Sequence, residues 1–121
     1  LLQQIEQLAL QHSQDFLEQV RSVLRASILT GHAHSNEVAA LFSMHSRTMS
    51  RHLEKQGVSF QGLLDQCRFE VAKQLLQKPH SDVGQIAEIM KFADASSFTR
   101  TFKRWSGSTP TQWRTTYRTH N

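Results

Sequence analysis

Two short segments of the chain carry an arginine in the same local setting. Residues 49–53 read Met-Ser-Arg-His-Leu and residues 98–102 read Phe-Thr-Arg-Thr-Phe. Each segment therefore has an apolar residue, a hydroxyl, an arginine, a variable residue and a second apolar residue. A guanidinium can donate two parallel hydrogen bonds to a guanine edge, or it can neutralise a phosphate. The pattern allows both kinds of contact and does not decide between them.

Each of these arginines follows an alanine at a similar distance. Ala39 precedes Arg51 by 12 residues, and Ala87 precedes Arg100 by 13 residues. A small residue suits the point where two helices cross at a steep angle, because a larger side chain would hold them apart. The pattern predicts two helix-turn-helix units, in each of which the second helix fits a major groove about 12 Å wide.

The rest of the chain reads as helical, because apolar residues recur at spacings of three and four and strand signals are almost absent. We expect an all-α fold of about seven helices. Two helix-turn-helix subdomains, about 36–57 and 82–106, are joined by a long linker helix over about 60–77, and a last helix covers about 110–119. Residues 15–121 form one domain, and residues 1–14 form a short helix remaining from an interdomain connection. Predicted helix caps are Ser13, Asn36 and Asp82.

The charge distribution favours a phosphate-bearing partner. The formal net charge is +4, and no acidic residue follows Asp94. Five basic residues do follow it: Arg100, Lys103, Arg104, Arg114 and Arg118. Such a region is typical of a surface that lies beside nucleic acid. A helical protein-interaction adaptor with an acidic partner also explains the charge, but it does not explain the paired arginine spacing.

Several function classes find no support in the sequence. The single cysteine, Cys67, excludes an intramolecular disulfide and fits a reducing cytosol, and no apolar run is long enough to span a membrane. The seven histidines form no zinc-binding pattern, and no nucleophile, base and orienting group occur together. We therefore predict no enzyme, metal site or cofactor, and a cytoplasmic, nucleoid-associated protein.

Residues from about 36 to 114 resemble the DNA-binding domain of the AraC/XylS family of bacterial transcription regulators. The strongest match comprises Ile86-Ala87, residues 92–104, the segment Gly107-Ser108-Thr109-Pro110 and the pair Trp113-Arg114. Residues 46–51 and the linker-helix set Arg68, Ala72, Leu75 and Leu76 also match. The resemblance implies a bilobed helical domain that binds promoter double-stranded DNA and usually activates transcription through RNA polymerase. It further implies a missing N-terminal domain for a small effector or for dimerisation, which fits a chain that starts at Leu1.

The polar faces of the two second helices, together with the resemblance, predict the residues that contact DNA. Predicted base contacts are Arg47, Ser50, Arg51, Ala95, Ser96, Ser97 and Arg100, with Ala95 against a thymine methyl group. Predicted phosphate contacts are Thr48, Lys55, Lys91, Thr99, Lys103 and Arg104.

Two positions depart from the family pattern. The turn residue that is commonly glycine is Ser43 in the first unit and Lys91 in the second. A positive φ at either position would strain the backbone slightly, although Lys91 would gain a phosphate contact.

The linker helix is long enough to connect units in adjacent major grooves. Residues 60–77 span about 27 Å, and adjacent major-groove faces lie about 34 Å apart. With the flanking ends added, one chain can reach both grooves.

Overall fold

The computed structural model describes residues 1–120, which form seven α-helices and no strand. The helices are α1 (Leu2–Ile28), α2 (Ser35–Leu41), α3 (Ser46–Lys55), α4 (Phe60–Gln77), α5 (Val83–Ile89), α6 (Ala95–Ser106) and α7 (Pro110–His120). The predicted all-α fold with about seven helices is confirmed. Asn121, the last residue of the predicted domain, lies outside the described residues. Within the described range, no helix is both long and apolar enough to cross a membrane.

The chain divides into two compact units, an N-terminal unit of residues 1–64 and a C-terminal unit from residue 65 onward. Each unit contains the end of a long helix, then a short helix, then a second helix of 10 or 12 residues. The short helices α2 and α5 begin and end 48 residues apart. The same offset relates the buried residues Ile28 and Leu76 of the two long helices. The internal repeat therefore also includes the ends of the two long helices. The sequence pattern did not indicate this part, because only the apolar character of its residues is repeated there.

The predicted break near Ser13 is wrong, because α1 runs without interruption from Leu2 to Ile28. That range holds no glycine or proline, so nothing in the backbone forces a break. The predicted cap at Asn36 is also wrong, since α2 begins at Ser35 with His34 as its N-cap. Asp82 is the N-cap of α5 as predicted, although its side chain makes no capping hydrogen bond.

The N-terminal unit packs the end of α1 against α2 and α3. On α1 the buried apolar residues are Val20, Leu24 and Ile28, and they lie one helical turn apart. On α2 and α3 the fully buried residues are Val38, Ala39, Met49 and Leu53. This core holds α3 by one face and leaves its opposite face to solvent.

The C-terminal unit has an aromatic core. Phe98 and Phe102 of α6 are fully buried, and the Phe102 ring lies 5.5 Å from Phe69 and 6.2 Å from Trp113. Cys67 is buried on α4. Leu76 completes the buried stripe of α4, whereas Leu75, four residues after the buried Val71, is only half-buried.

The last helix, α7, is tied to the end of α4 by two arginines. Arg114 donates from Nε to the Leu76 carbonyl at 2.9 Å, and Arg118 donates to the Pro79 carbonyl at 2.6 Å. The Leu76 carbonyl is one that the end of α4 leaves without an intrahelical partner, and the Pro79 carbonyl lies in the segment after α4. Partial burial, with the nearby positive charge of Arg118, lowers the pKa of Arg114. The basic residues of α7 therefore stabilise the C-terminal unit.

Candidate nucleic-acid interface

The two short helices end in the same hydrogen-bonded turn. At the end of α2, Met44 N–H donates to the Ala39 carbonyl at 3.1 Å, and Ser43 N–H donates to Ala40 at 3.0 Å. At the end of α5, Phe92 N–H donates to the Ala87 carbonyl at 2.9 Å. This arrangement is the Schellman motif. The two alanines of the repeat therefore also accept the hydrogen bond that closes each turn.

Each of these turns places a residue other than glycine in the left-handed region. Ser43 has φ 55° and Lys91 has φ 66°, whereas the residues that follow α3 and α6 in this conformation are glycines, Gly57 and Gly107. A side chain with a Cβ is disfavoured there. The strain that the sequence indicated at Ser43 and Lys91 is therefore present in both turns.

One inserted residue explains the difference between the spacings of 12 and 13. In the N-terminal unit, His45 is the N-cap of α3 and directly follows Met44. In the C-terminal unit, Ala93 stands between Phe92 and Asp94, which is the N-cap of α6. The offset between the two units is thus 48 up to the turn and 49 along α3 and α6, so Arg51 and Arg100 occupy equivalent helix positions.

The caps of α3 and α6 differ in charge. His45 Nδ1 accepts a hydrogen bond from Arg47 N–H at 3.3 Å, whereas Asp94 Oδ1 accepts one from Ser97 N–H at 2.7 Å. The backbone N–H and hydroxyl of Ser97, and then the charge of Arg100, lower the pKa of Asp94. A carboxylate therefore marks the start of α6, where α3 has an imidazole. Sequence reasoning missed the caps at His45 and Asp94, although Asp94 had a recognisable signal, since aspartate is a preferred N-cap residue.

On α3 the predicted contact residues lie on the face turned away from the core. Met49 and Leu53 are fully buried, Ser50 is half-buried, and the other predicted residues are exposed. The exposed ones are Arg47, Thr48, Arg51 and Lys55. The structure thus brings the predicted side chains of this unit together on one helix.

The second unit presents its predicted residues on α6 and on the preceding turn. Ser97 and Thr99 are half-buried, and Arg100 Nη2 lies 3.5 Å from Ser97 Oγ. The exposed members of the set are Lys91, Ala95, Ser96, Arg100, Lys103 and Arg104. All the predicted residues of both units therefore reach the surface.

When the two repeats are aligned, some predicted base contacts are equivalent to predicted phosphate contacts. Ser50 is equivalent to Thr99, and Thr48 is equivalent to Ser97, by the offset of 49. The sequence reading placed Ser50 and Ser97 among the base contacts and Thr48 and Thr99 among the phosphate contacts. The equivalence gives both members of each pair the same position on their helix.

A sequence profile described as a helix-turn-helix domain matches residues 38–116, which extend from α2 into α7. The transcriptional regulator VirS of Mycobacterium tuberculosis is 31% identical over 97 residues, which are 80% of this chain and 28% of VirS. The chain belongs to the AraC/XylS family. It carries the sequence-specific DNA-binding domain of a transcriptional regulator of this family, as predicted.

Solved structures share the fold of this AraC/XylS domain. A transcriptional regulator from Chromobacterium violaceum with an AraC-type DNA-binding domain superposes with a TM-score of 0.73 at 22% identity, over 86% of this chain and 93% of that one. The DNA-binding domain of AdpA, solved in complex with a target DNA, superposes with a TM-score of 0.65 at 24% identity, over 84% and 95%. The chain spans 22 to 28% of the length of its mycobacterial relatives.

Proposed function

We propose that this AraC/XylS domain binds promoter DNA with α3 and α6, each inserted into a major groove of one duplex. The observation that carries the proposal is the equivalence of Arg51 and Arg100. Each is exposed on the second helix of a helix-turn-helix unit, opposite a fully buried pair of apolar residues. Such a helix has one face for its own core and one face for the groove.

In this proposal the base contacts lie on the exposed face of each helix, beginning at its first turn. Arg47, Ser50 and Arg51 serve α3, while Ala95, Ser96, Ser97 and Arg100 serve α6. The phosphate contacts are Thr48, Lys55, Lys91, Thr99, Lys103 and Arg104. An arginine on guanine adds sequence discrimination, whereas a lysine on phosphate adds affinity for any sequence and makes binding sensitive to salt.

The length of α4 supports the use of adjacent grooves. Its 18 residues extend about 27 Å at 1.5 Å per residue. Adjacent major-groove faces are separated by about 34 Å, so a chain with two units needs a rigid element of this order between them. One chain would then occupy two neighbouring sites that simple helix-turn-helix proteins fill as dimers.

We further propose that the domain of residues 15–121 works within a longer regulator. Residues 1–14, the exposed first half of α1, would belong to a connection with an N-terminal domain that binds a small effector. RNA polymerase would be the second partner, in the cytoplasm beside the nucleoid. The small share of its relatives that the chain covers supports the existence of further domains.

Gel-shift titration at several salt concentrations tests the DNA-binding proposal. The probe is a fragment of the promoter of the regulated operon, and competitor DNA of unrelated sequence supplies the non-specific reference. We expect binding at least about a thousandfold tighter to the promoter than to competitor, with steep weakening as salt rises. Equal affinity for the two DNAs would refute sequence-specific binding.

A further inference from the structure

An exposed carboxylate shares the proposed DNA-facing surface of α3. Successive residues of an α-helix are rotated by about 100°, so Glu54 lies about 20° from Arg47 and about 40° from Ser50 around the axis. Glu54 is exposed, like Arg47, and neighbours the buried Leu53. A residue of negative charge therefore lies among three proposed base contacts.

Glu54 does not serve as an ion-pair partner for its own helix. Glu18 and Arg21 of α1 are three residues apart and form an ion pair at 2.7 Å. Arg51 and Glu54 have the same separation, yet the structure gives Glu54 no ion pair among the described side chains of residues 1–119. Its carboxylate is available to an external group.

The C-terminal unit reverses this charge. The residue equivalent to Glu54 on α6 is Lys103, which is also exposed. No acidic residue follows Asp94 in the sequence, so the corresponding face of α6 is entirely basic or neutral. At this position, about two helical turns from the start of each helix, α3 therefore carries a negative charge and α6 a positive one.

A carboxylate in a major groove can use only hydrogen-bond donors. Phosphates repel it, and so do guanine O6 and N7 and thymine O4, which are acceptors. The amino groups of cytosine and adenine are the donors, and carboxylates pair with cytosine N4. A glutamate at this position therefore favours a base with an amino group and disfavours guanine and thymine. Attraction to one base and repulsion from the others together give specificity.

We propose that Glu54 is a specificity-determining residue of α3, where it accepts a hydrogen bond from a cytosine amino group of the bound DNA. The inference rests on the proposed insertion of α3 into a major groove. Lys103, at the equivalent position of α6, does not require a hydrogen-bond donor on the base and is the proposed phosphate contact.

Binding-site selection from a randomised duplex library tests this inference. The proteins are the unmodified chain, Glu54→Gln, Glu54→Lys and the control Glu6→Gln, which removes an equal charge from the exposed first half of α1. We expect the unmodified chain and Glu6→Gln to select cytosine at one position of the half-site read by α3. Glu54→Gln should favour adenine there, and Glu54→Lys should favour guanine, each by about tenfold in Kd on matched duplexes.

The outcomes separate this inference from the function on which it rests. Unchanged base preferences with a uniform gain in affinity for both Glu54 variants would overturn the inference, because Glu54 would then act only by its charge. Selection of no consensus by the unmodified chain would instead overturn the proposed sequence-specific binding itself.

Discussion

The two helix-turn-helix units have the same backbone plan but different surface chemistry. Both use a buried alanine, a Schellman turn and an exposed arginine at the same position of the second helix. However, α3 has Arg47 in its first turn and Glu54 in its last turn behind a histidine cap, whereas α6 has serines in its first turn and basic residues in its last turn behind an aspartate cap. The buried residues therefore fix the position of each second helix, and the exposed residues set its selectivity. Two such different surfaces should recognise different sequences, so the expected operator is not a palindrome.

The largest expected effect is the loss of either repeated arginine. Arg51→Ala and Arg100→Ala should each weaken promoter binding by more than about tenfold, because each removes charge-assisted hydrogen bonds to DNA. Both side chains are exposed, so the melting temperature should not fall. Fluorescence anisotropy and calorimetry measure the two quantities, with Lys78→Ala in the α4–α5 loop as the control. Unchanged affinity in both variants would remove the assignment of these residues to the interface.

The alanines at the helix crossings should be the most sensitive positions for folding. Ala39→Leu and Ala87→Leu insert a large side chain at sites that are 0% and 1% exposed. Overpacking of this kind costs about 1–3 kcal/mol in the free energy of unfolding. Chemical denaturation measures it, and Ala40→Leu, at an exposed position of α2, should be nearly neutral. Tolerance at one alanine alone would mean that the two units do not share the same packing.

The two helix caps should respond differently to substitution and to pH. Asp94→Ala should lower the melting temperature more than His45→Ala, because the Asp94 hydrogen bond is shorter and charge-assisted. The pKa of Asp94 is lowered in the folded chain, so its contribution is complete above the unfolded pKa of about 3.9 and is lost as pH falls through the folded value. Calorimetry from neutral to acid pH should show the gap between the unmodified chain and Asp94→Ala closing. A gap that persists in strong acid would contradict a role for the carboxylate charge.

The smallest expected effects come from the strained turns. Ser43→Gly and Lys91→Gly should each stabilise the fold by about 0.5–1 kcal/mol, because glycine adopts a positive φ without steric cost. Lys91→Gly should also weaken DNA binding and reduce its salt dependence, whereas Ser43→Gly should leave both unchanged. Gly107→Ala, at a similar φ, is the control and should destabilise. Equal DNA affinity for the two glycine variants would exclude Lys91 from the phosphate contacts.

Much of the fold could be predicted because glycine and proline residues mark the ends of several helices in the sequence. Pro79 and Gly57 bracket α4, whose observed bounds, Phe60–Gln77, agree with the predicted linker helix. The start of α2 was missed because its N-cap is His34, and histidine is not among the residues preferred at this position. Leu75 and Leu76 are adjacent and equally apolar, so only the packed structure shows that Leu76 faces the core.

The candidate site was predictable to the level of the helix face. The repeated arginine segments located α3 and α6, since apolar spacing defines the buried side and leaves the opposite side polar. The sequence alignment already paired Ser50 with Thr99, and the spacings of 12 and 13 already indicated that the two turns differ by one residue. The position of the extra residue, Ala93, became clear only from the hydrogen bonds of both turns.

Hydroxyl-radical and methylation footprinting of the promoter with three proteins tests the central claim most directly. The unmodified chain should protect two major-groove segments about one helical turn apart. Arg51→Ala should lose protection mainly in one segment and Arg100→Ala mainly in the other. A single protected segment, or the same pattern of loss in both variants, would contradict the claim that two equivalent helices read neighbouring grooves.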